Sequence, residues 1–209
     1  LIPLPKDLYG SERVNAKGWD VTDAKDVSAI EKERQAFHKH TWKALPSQCI
    51  EDEGKVNFIG IYNPADPLDF VGKVREANSE EVAVAITKAQ TAFSDWSAKS
   101  PAYRASCLDK LADLYEQHAA EFFALATREA GKTLLDAIGE LREAVDFARY
   151  YANQTLNTSA TAPARGVITC ISPWNFPLAI FIGQVAAAVV TGNTVIAKAA
   201  EQTSLIALR

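Results

Sequence analysis

A chain of 209 residues with 48% hydrophobic residues is long enough for one domain with a real core, or for one domain plus an arm. The net charge of −4, with acids and bases interspersed, argues against a nucleic-acid partner, because phosphate binding needs a concentrated basic patch. The three cysteines are far apart and show no metal-ligand spacing, so neither a metal site nor a disulfide framework is expected. A reducing, cytoplasmic setting follows as the default.

No export or membrane segment is predicted. The opening LIPLPKDLYG lacks the basic start and apolar run that export needs. The apolar stretch 176–190 is shorter than the ~20 residues of a spanning helix and contains Gln184, so we expect a buried helix and no transmembrane segment. The chain has no methionine and stops in a helical-looking run, SLIALR, without a stop signal. We interpret both features as signs of a piece of a longer protein.

Residues 1–55 are polar and irregular, with many turn formers. A short helix is predicted at about 26–45, carrying Ile30 and Phe37 and ended by Pro46. We interpret residues 1–55 as an arm or inter-domain linker, not as a core.

The next segment predicts two strands and then a series of helices. An apolar run at 56–61, a turn at 63–67 and a second apolar run at 70–74 indicate the strands. Four helices follow, each with apolar residues at helical spacing, and the third covers 121–130. The other three begin at recognisable start signals: Asn78 with Glu81, Ser100 with Pro101, and Thr133 with Asp136. The charged run 140–143 is interpreted as a solvated helix face.

The last third of the chain predicts a βαβ unit. It consists of a β-rich run at 166–171, a turn at 172–177, an apolar helix at 178–190 and a second strand at 194–198. Neither strand alternates, which is typical of a parallel sheet with helices on both faces. The predicted fold class is therefore α/β.

The carboxyl ends of these two strands are the natural ligand site, because ligands of open α/β sheets bind there. Asn175 lies in the stiff, proline-flanked turn after the first strand, where its amide can donate to a developing oxyanion. Lys198 and Glu201 follow the second strand and can bind the ribose hydroxyls of a nucleotide. The G-x-G-x-x-G fingerprint of dinucleotide-binding folds is absent, so a standard Rossmann assignment fails on sequence alone.

These motifs resemble those of the aldehyde dehydrogenase superfamily. G-V-I-T-C-I-S-P-W-N-F-P-L-A-I and G-N-T-V-I-A-K-A-A-E-Q-T are similar to its signature region, and N-P-A-D, A-F-S-D-W and R-E-A-G-K-T precede them in the family's order. The wording of several motifs, with D-L-Y-G near the start, is most similar to the glutamate-semialdehyde (pyrroline-5-carboxylate) dehydrogenase module of the bifunctional PutA family. The resemblance implies a partial Rossmann-like NAD-binding domain with N-terminal helices. Residues 56–209 would be the N-terminal portion of that domain.

The resemblance also implies roles for individual residues. Asn175 matches the oxyanion-hole asparagine, which makes it the catalytic residue of this chain. Phe176 and Glu129 match residues near the substrate. The positions that match cofactor contacts are Ile171, Ser172, Pro173, Trp174, Lys198 and Glu201. The family's nucleophilic cysteine and general-base glutamate lie beyond position 209, so this chain alone is expected to be inactive.

The implied reaction is the oxidation of L-glutamate γ-semialdehyde to glutamate with NAD as hydride acceptor and NADP as the alternative. FAD would occur only in a separate proline dehydrogenase domain, if the parent protein is bifunctional. The implied partners are a small aldehyde and further copies of the parent protein in a homo-oligomer. No metal is implied. The sequence departs from the family at Ala199 and Ser204, where proline is common. Without proline at position 199, we expect the turn that orients Lys198 and Glu201 toward the cofactor to be less rigid.

Purely structural interpretations of the same residues remain open. Asn175 can be a turn residue that bonds its own backbone, and Trp174 and Phe176 can be core aromatics. Lys198 with Glu201 can be a solvated surface pair, and Glu129 can be merely exposed. At the level of function, the rivals are another aldehyde dehydrogenase, such as a succinate-semialdehyde or betaine-aldehyde enzyme, and a non-catalytic piece that serves folding or interaction.

Overall fold

The computed structural model describes residues 2–49, 57–157 and 162–209. The α-helices within these ranges are α1 (Ala24–Arg34), α2 (Ser79–Ser97), α3 (Pro101–Gln117), α4 (Ala119–Arg128), α5 (Leu134–Asn157), α6 (Ala179–Val190) and α7 (Ser204–Ala207). Short 3-10 helices cover Pro5–Asp7, Gln35–Phe37 and Glu201–Thr203. The strands are β1 (Trp42–Ala44), β2 (Ile59–Asn63), β3 (Asp66–Val74), β4 (Val167–Ile171) and β5 (Thr194–Lys198). The α/β fold class is confirmed.

The first segment of the chain differs from its prediction. The helix expected at 26–45 ends at Arg34, and β1 occupies its predicted last turn. Tertiary contacts outweigh the local helical pattern here, because β1 pairs in parallel with β3, which is distant in sequence, and Trp42 is buried. Ile30 and Trp42 belong to the main hydrophobic cluster, so this segment contributes side chains to the core. The division of the chain between residues 55 and 56 stays a prediction.

The predicted strand pair is an antiparallel hairpin of β2 and β3, which joins β1 in a three-stranded sheet ordered β1-β3-β2. Val56, the first residue of the predicted strand pair, lies outside the described residues. Val71 and Val74 face the core, while the first half of β3 is largely exposed. One face of this small sheet therefore closes the main core.

The helical layer begins as predicted. The Asn78 side chain accepts the N–H of Glu81, and the Glu81 carboxylate accepts the N–H of Asn78, which completes the capping box of α2. The predicted third helix, α4, lies two residues earlier than expected. α5 packs on α3, α4 and α6 and contributes buried residues to both hydrophobic clusters. Glu140 is 2% exposed, so the interpretation of 140–143 as a solvated face is wrong at this residue.

The βαβ unit is confirmed. β4 and β5 pair in parallel, in register from Val167 opposite Thr194 to Ile171 opposite Lys198. α6 connects them and ends at Val190, and Gly192 follows with a φ of +91° that suits glycine and few other residues. The strands are less buried than their apolar runs predict, because this sheet has only two strands within the described ranges. Among the residues that the structure describes, no helix has the length and apolar character needed to cross a membrane.

Candidate functional site

The carboxyl ends of β4 and β5 lie side by side. The backbone N–H of Ser172 donates to the carbonyl oxygen of Lys198 over 3.2 Å, and the Ser172 hydroxyl approaches the same oxygen at 3.3 Å. The loop 172–178 and the turn 199–203 therefore form one rim. The structure brings the predicted oxyanion residue and the predicted nucleotide residues to this rim, as parallel pairing requires.

The tip of the loop after β4 projects from the protein, while its end is anchored. The Trp174 side chain is 55% exposed and the side chains of Asn175 and Phe176 are also exposed, so none of them is a core residue. Pro177 is fully buried. Within the described part of the chain, the Asn175 amide forms no hydrogen bond, which removes the basis for a purely local turn role. Its N–H groups are left available to an external acceptor.

A buried carboxylate fixes the end of this loop. Oε2 of Glu140 accepts the backbone N–H of Leu178 at 3.2 Å and that of Ala179 at 2.9 Å, at the start of α6. Its other oxygen, Oε1, lies 3.1 Å from Nζ of Lys132. The same ammonium lies 4.6 Å from the centre of the Phe176 ring, within range of a cation–π contact. Lys132 and Glu140 thus hold the loop from its inner side.

This support was missed by reasoning from sequence. A usable signal exists, since Glu140 falls on the buried stripe of α5 between Ala137 and Leu141. A carboxylate on such a stripe requires partners, because an unpaired buried charge is costly.

Lys198 and Glu201 form an ion pair at the outer side of the rim. Nζ of Lys198 lies 2.8 Å from Oε1 of Glu201, and their side chains are 51% and 61% exposed. The hydrogen bond from Lys198 lowers the pKa of the Glu201 carboxyl. Such an exposed pair contributes little to stability. An ammonium and a carboxylate that stay open to solvent suit a vicinal diol, whose hydroxyls can both donate and accept.

Glu129 is placed differently from the other predicted residues. Its side chain lies in the interior, 4% exposed, so the alternative that it is merely exposed is wrong. Its two oxygens accept the backbone N–H groups of Leu205 at 2.7 Å and Ile206 at 2.8 Å. Burial raises the pKa of Glu129 to about 7, against the opposite effect of these two hydrogen bonds. A substrate role for Glu129 stays a prediction, and the contacts point to a structural role in α7.

Two further links join the parts of the rim. The Thr203 hydroxyl donates to the carbonyl oxygen of Trp174 at 3.4 Å, and the Gln184 amide donates to that of Ile171 at 3.2 Å. Ile171 is 63% exposed at the end of β4. Cys170, next to it, is buried, and burial raises the pKa of its thiol. The rim therefore combines exposed polar groups with a buried cysteine.

In the described ranges, no group of three or more His, Cys, Asp or Glu side chains is placed to hold a metal ion. The residues that converge on the rim are hydrogen-bond donors, one ion pair and exposed aromatic rings. This set suits the binding of a polar organic ligand.

Comparison with known proteins gives consistent matches. The sequence model of the Aldehyde dehydrogenase family matches residues 50–209. "Bifunctional protein PutA" of Klebsiella aerogenes is 46% identical over 210 residues, which cover 99% of this chain and 16% of that protein. "1-pyrroline-5-carboxylate dehydrogenase 2" of Bacillus subtilis is 35% identical over 205 residues, which cover 90% of this chain and 39% of that protein.

A solved structure shows the same fold. The 1-pyrroline-5-carboxylate dehydrogenase from Thermus with bound NAD superposes with a TM-score of 0.82 and 26% identity. The match covers 93% of this chain and 41% of the Thermus chain. This chain thus spans less than half the length of each of these relatives.

Proposed function

Because this chain belongs to the aldehyde dehydrogenase family, we propose that it forms part of an NAD-dependent dehydrogenase of proline catabolism. The substrate would be L-glutamate γ-semialdehyde, formed from pyrroline-5-carboxylate, and the product L-glutamate. The observation that supports this function best is the joint rim, where the Asn175 loop and the Lys198–Glu201 pair meet across the Ser172–Lys198 hydrogen bond. The similarity to PutA and to pyrroline-5-carboxylate dehydrogenases supports the choice of substrate.

We assign the aldehyde side of the site to the loop after β4. Attack of a nucleophile on the aldehyde carbon moves negative charge onto the carbonyl oxygen. The exposed amide of Asn175 can donate an N–H to that oxygen, and a preorganised donor of this kind is worth roughly 3 kcal/mol in the transition state. Phe176 would pack on the aliphatic part of the semialdehyde. The nucleophile and the general base would come from the remainder of the enzyme.

We assign the cofactor side to the two strand ends. Lys198 and Glu201 would hold the adenosine ribose, since an exposed ammonium–carboxylate pair can match its two hydroxyls. Ile171 and Trp174, which are exposed, would line the cofactor together with the half-buried Pro173 and the backbone of the buried Ser172. NAD supplies the hydride acceptor. The chemistry of these groups fits a nucleotide, although no glycine-rich fingerprint is present.

The function is tested in the full-length protein by NADH formation, followed by absorbance, with L-glutamate γ-semialdehyde, succinate semialdehyde and betaine aldehyde at equal concentrations. We expect the highest kcat/KM with the glutamate derivative and with NAD. A preference for one of the other two aldehydes would favour a different dehydrogenase of the same family. Absence of NADH formation with all three would contradict the proposal.

A further inference from the structure

Two buried glutamates support the two halves of the rim. Glu129 follows α4 and Glu140 lies on α5, and each accepts two backbone N–H groups. In both cases the N–H groups belong to the start of the helix that follows one of the parallel strands. The first N–H groups of a helix have no partner within the helix, so a buried carboxylate there determines where the segment lies.

Glu140 acts on the loop of the aldehyde side. Its two backbone contacts, Leu178 and Ala179, come directly after the exposed tip that carries Asn175 and Phe176. Lys132 balances the charge of Glu140 and contacts the Phe176 ring. A change at Glu140 therefore shifts the residues that would meet the aldehyde, and a misplacement of 1 Å can lower a rate by about 100-fold.

Glu129 acts on the cofactor side. Its contacts, Leu205 and Ile206, lie four and five residues after Glu201 and are buried. Between them and β5, the chain makes the turn that presents Glu201 to Lys198. A change at Glu129 frees the inner end of this turn, while the contacts of Glu140 with α6 remain.

We propose that Glu140 and Glu129 are separate positioning residues, the first for the loop of Asn175 and the second for the turn of Lys198 and Glu201. This inference rests on the proposed function for its kinetic consequences. It predicts that the two glutamates affect different kinetic constants, whereas a general loss of stability would affect both constants in both variants.

The test uses Glu140→Gln and Glu129→Gln in the full-length protein. Glutamine keeps the shape of glutamate but carries a donor in place of one accepting oxygen. In Glu129→Gln this donor faces the backbone N–H of Leu205 or of Ile206. In Glu140→Gln it faces either the N–H groups of Leu178 and Ala179 or the ammonium of Lys132, so one of the contacts that hold the loop is lost in either orientation. For Glu140→Gln we expect kcat to fall about 100-fold, with the KM for NAD within about threefold. For Glu129→Gln we expect the KM for NAD to rise about tenfold, with kcat at saturating NAD within about threefold. Glu116→Gln is the matched control, since Glu116 accepts the N–H of Lys17 and pairs with Arg149, and neither partner belongs to the rim.

Hydrogen–deuterium exchange of the same proteins gives a readout that does not need activity. Glu140→Gln should speed exchange in peptides covering 178–182 and leave 204–208 unchanged, and Glu129→Gln should do the reverse. If a Gln variant does not fold, the corresponding Asp variant must affect the same segment and the same kinetic constant, with a smaller change in each. Equal changes in both segments, or in both kinetic constants, would overturn the inference. An inactive wild-type protein with separated exchange would contradict the proposed function alone.

Discussion

The backbone N–H of Ser172 donates to the carbonyl oxygen of Lys198 over 3.2 Å and joins the two strand ends just where the chain leaves the sheet. This bond extends the β4–β5 ladder, whose last register pair is Ile171 with Lys198. The loop and the turn beyond it are therefore fixed relative to one another at their origin. A ligand that spans the rim meets a site whose two halves are already aligned, which limits the entropy lost on binding.

The first prediction concerns Asn175. In the full-length protein, Asn175→Ala should lower kcat by about 100-fold or more and leave the Kd for NAD nearly unchanged, because the amide would stabilise charge that exists only in the transition state. Steady-state kinetics and calorimetry with NAD measure the two effects. Asn157→Ala removes an exposed amide at the end of α5 and serves as the control. Near wild-type turnover of Asn175→Ala would rule out the oxyanion role.

The second prediction concerns Glu201. Glu201→Ala should raise the KM for NAD by about tenfold and change the KM for the aldehyde little, since one charge-assisted hydrogen bond is worth about 1.5–3 kcal/mol. The ion pair with Lys198 is exposed, so the melting temperature should hardly move. Glu33→Ala, at an exposed position of α1, is the control for removing a surface carboxylate. An increase confined to the KM for the aldehyde would show that the pair serves the other ligand.

The third prediction follows from the buried carboxyl of Glu129, whose pKa burial raises to about 7. An unfolded glutamate titrates near ~4.3, so between these values the folded protein binds more protons than the unfolded chain. The stabilisation is fully present below about pH 4.3 and is lost as the pH rises through about 7. We therefore expect the unfolding free energy of the wild type, relative to Glu129→Gln, to fall by about 3 kcal/mol from pH 4 to 8.

Denaturant unfolding of both proteins across this pH range measures the difference. Glutamine cannot titrate, so the curves should approach each other or cross as the pH rises. Curves that stay parallel would mean that the two backbone hydrogen bonds outweigh burial and hold the carboxyl charged throughout.

The rim could be predicted from sequence because its parts are local. The strand, the proline-flanked turn and the following apolar helix are adjacent in the chain, and a parallel βαβ unit necessarily brings Asn175 and Lys198 to the same edge. The support could not be predicted in this way. Glu140 contacts Leu178 across 38 positions, and Glu129 contacts Leu205 across 76. No periodicity links residues at such separations, so the position of Glu140 on a helix stripe can indicate that it is buried but not which backbone groups it contacts.

The same limit explains the error in the first segment. Residues 38–45 have no strong turn former before Pro46, so a helix was expected to continue. β1 instead gains its hydrogen bonds from β3, and the Trp42 indole N–H donates to Glu121 at 2.9 Å in the interior. Both partners are remote in sequence, and together they outweigh the weak local preference for a helix.

The last prediction is that the 209-residue chain has no dehydrogenase activity of its own. Attack on an aldehyde needs an activated thiolate, and this requires a nearby base or cation and access to the substrate. Cys107 is exposed on α3, and Cys49 contacts Arg75 beside the three-stranded sheet, so neither belongs to the rim. Cys170 adjoins the rim but is buried, and burial raises the pKa of its thiol, which disfavours the thiolate.

A single βαβ unit also supplies only part of a dinucleotide pocket, so NAD should bind weakly or not at all. Purified chain incubated with glutamate semialdehyde and NAD should form no NADH, and calorimetry should detect little binding. Steady turnover that survives repurification and disappears in Cys170→Ala would contradict this expectation and identify Cys170 as the nucleophile.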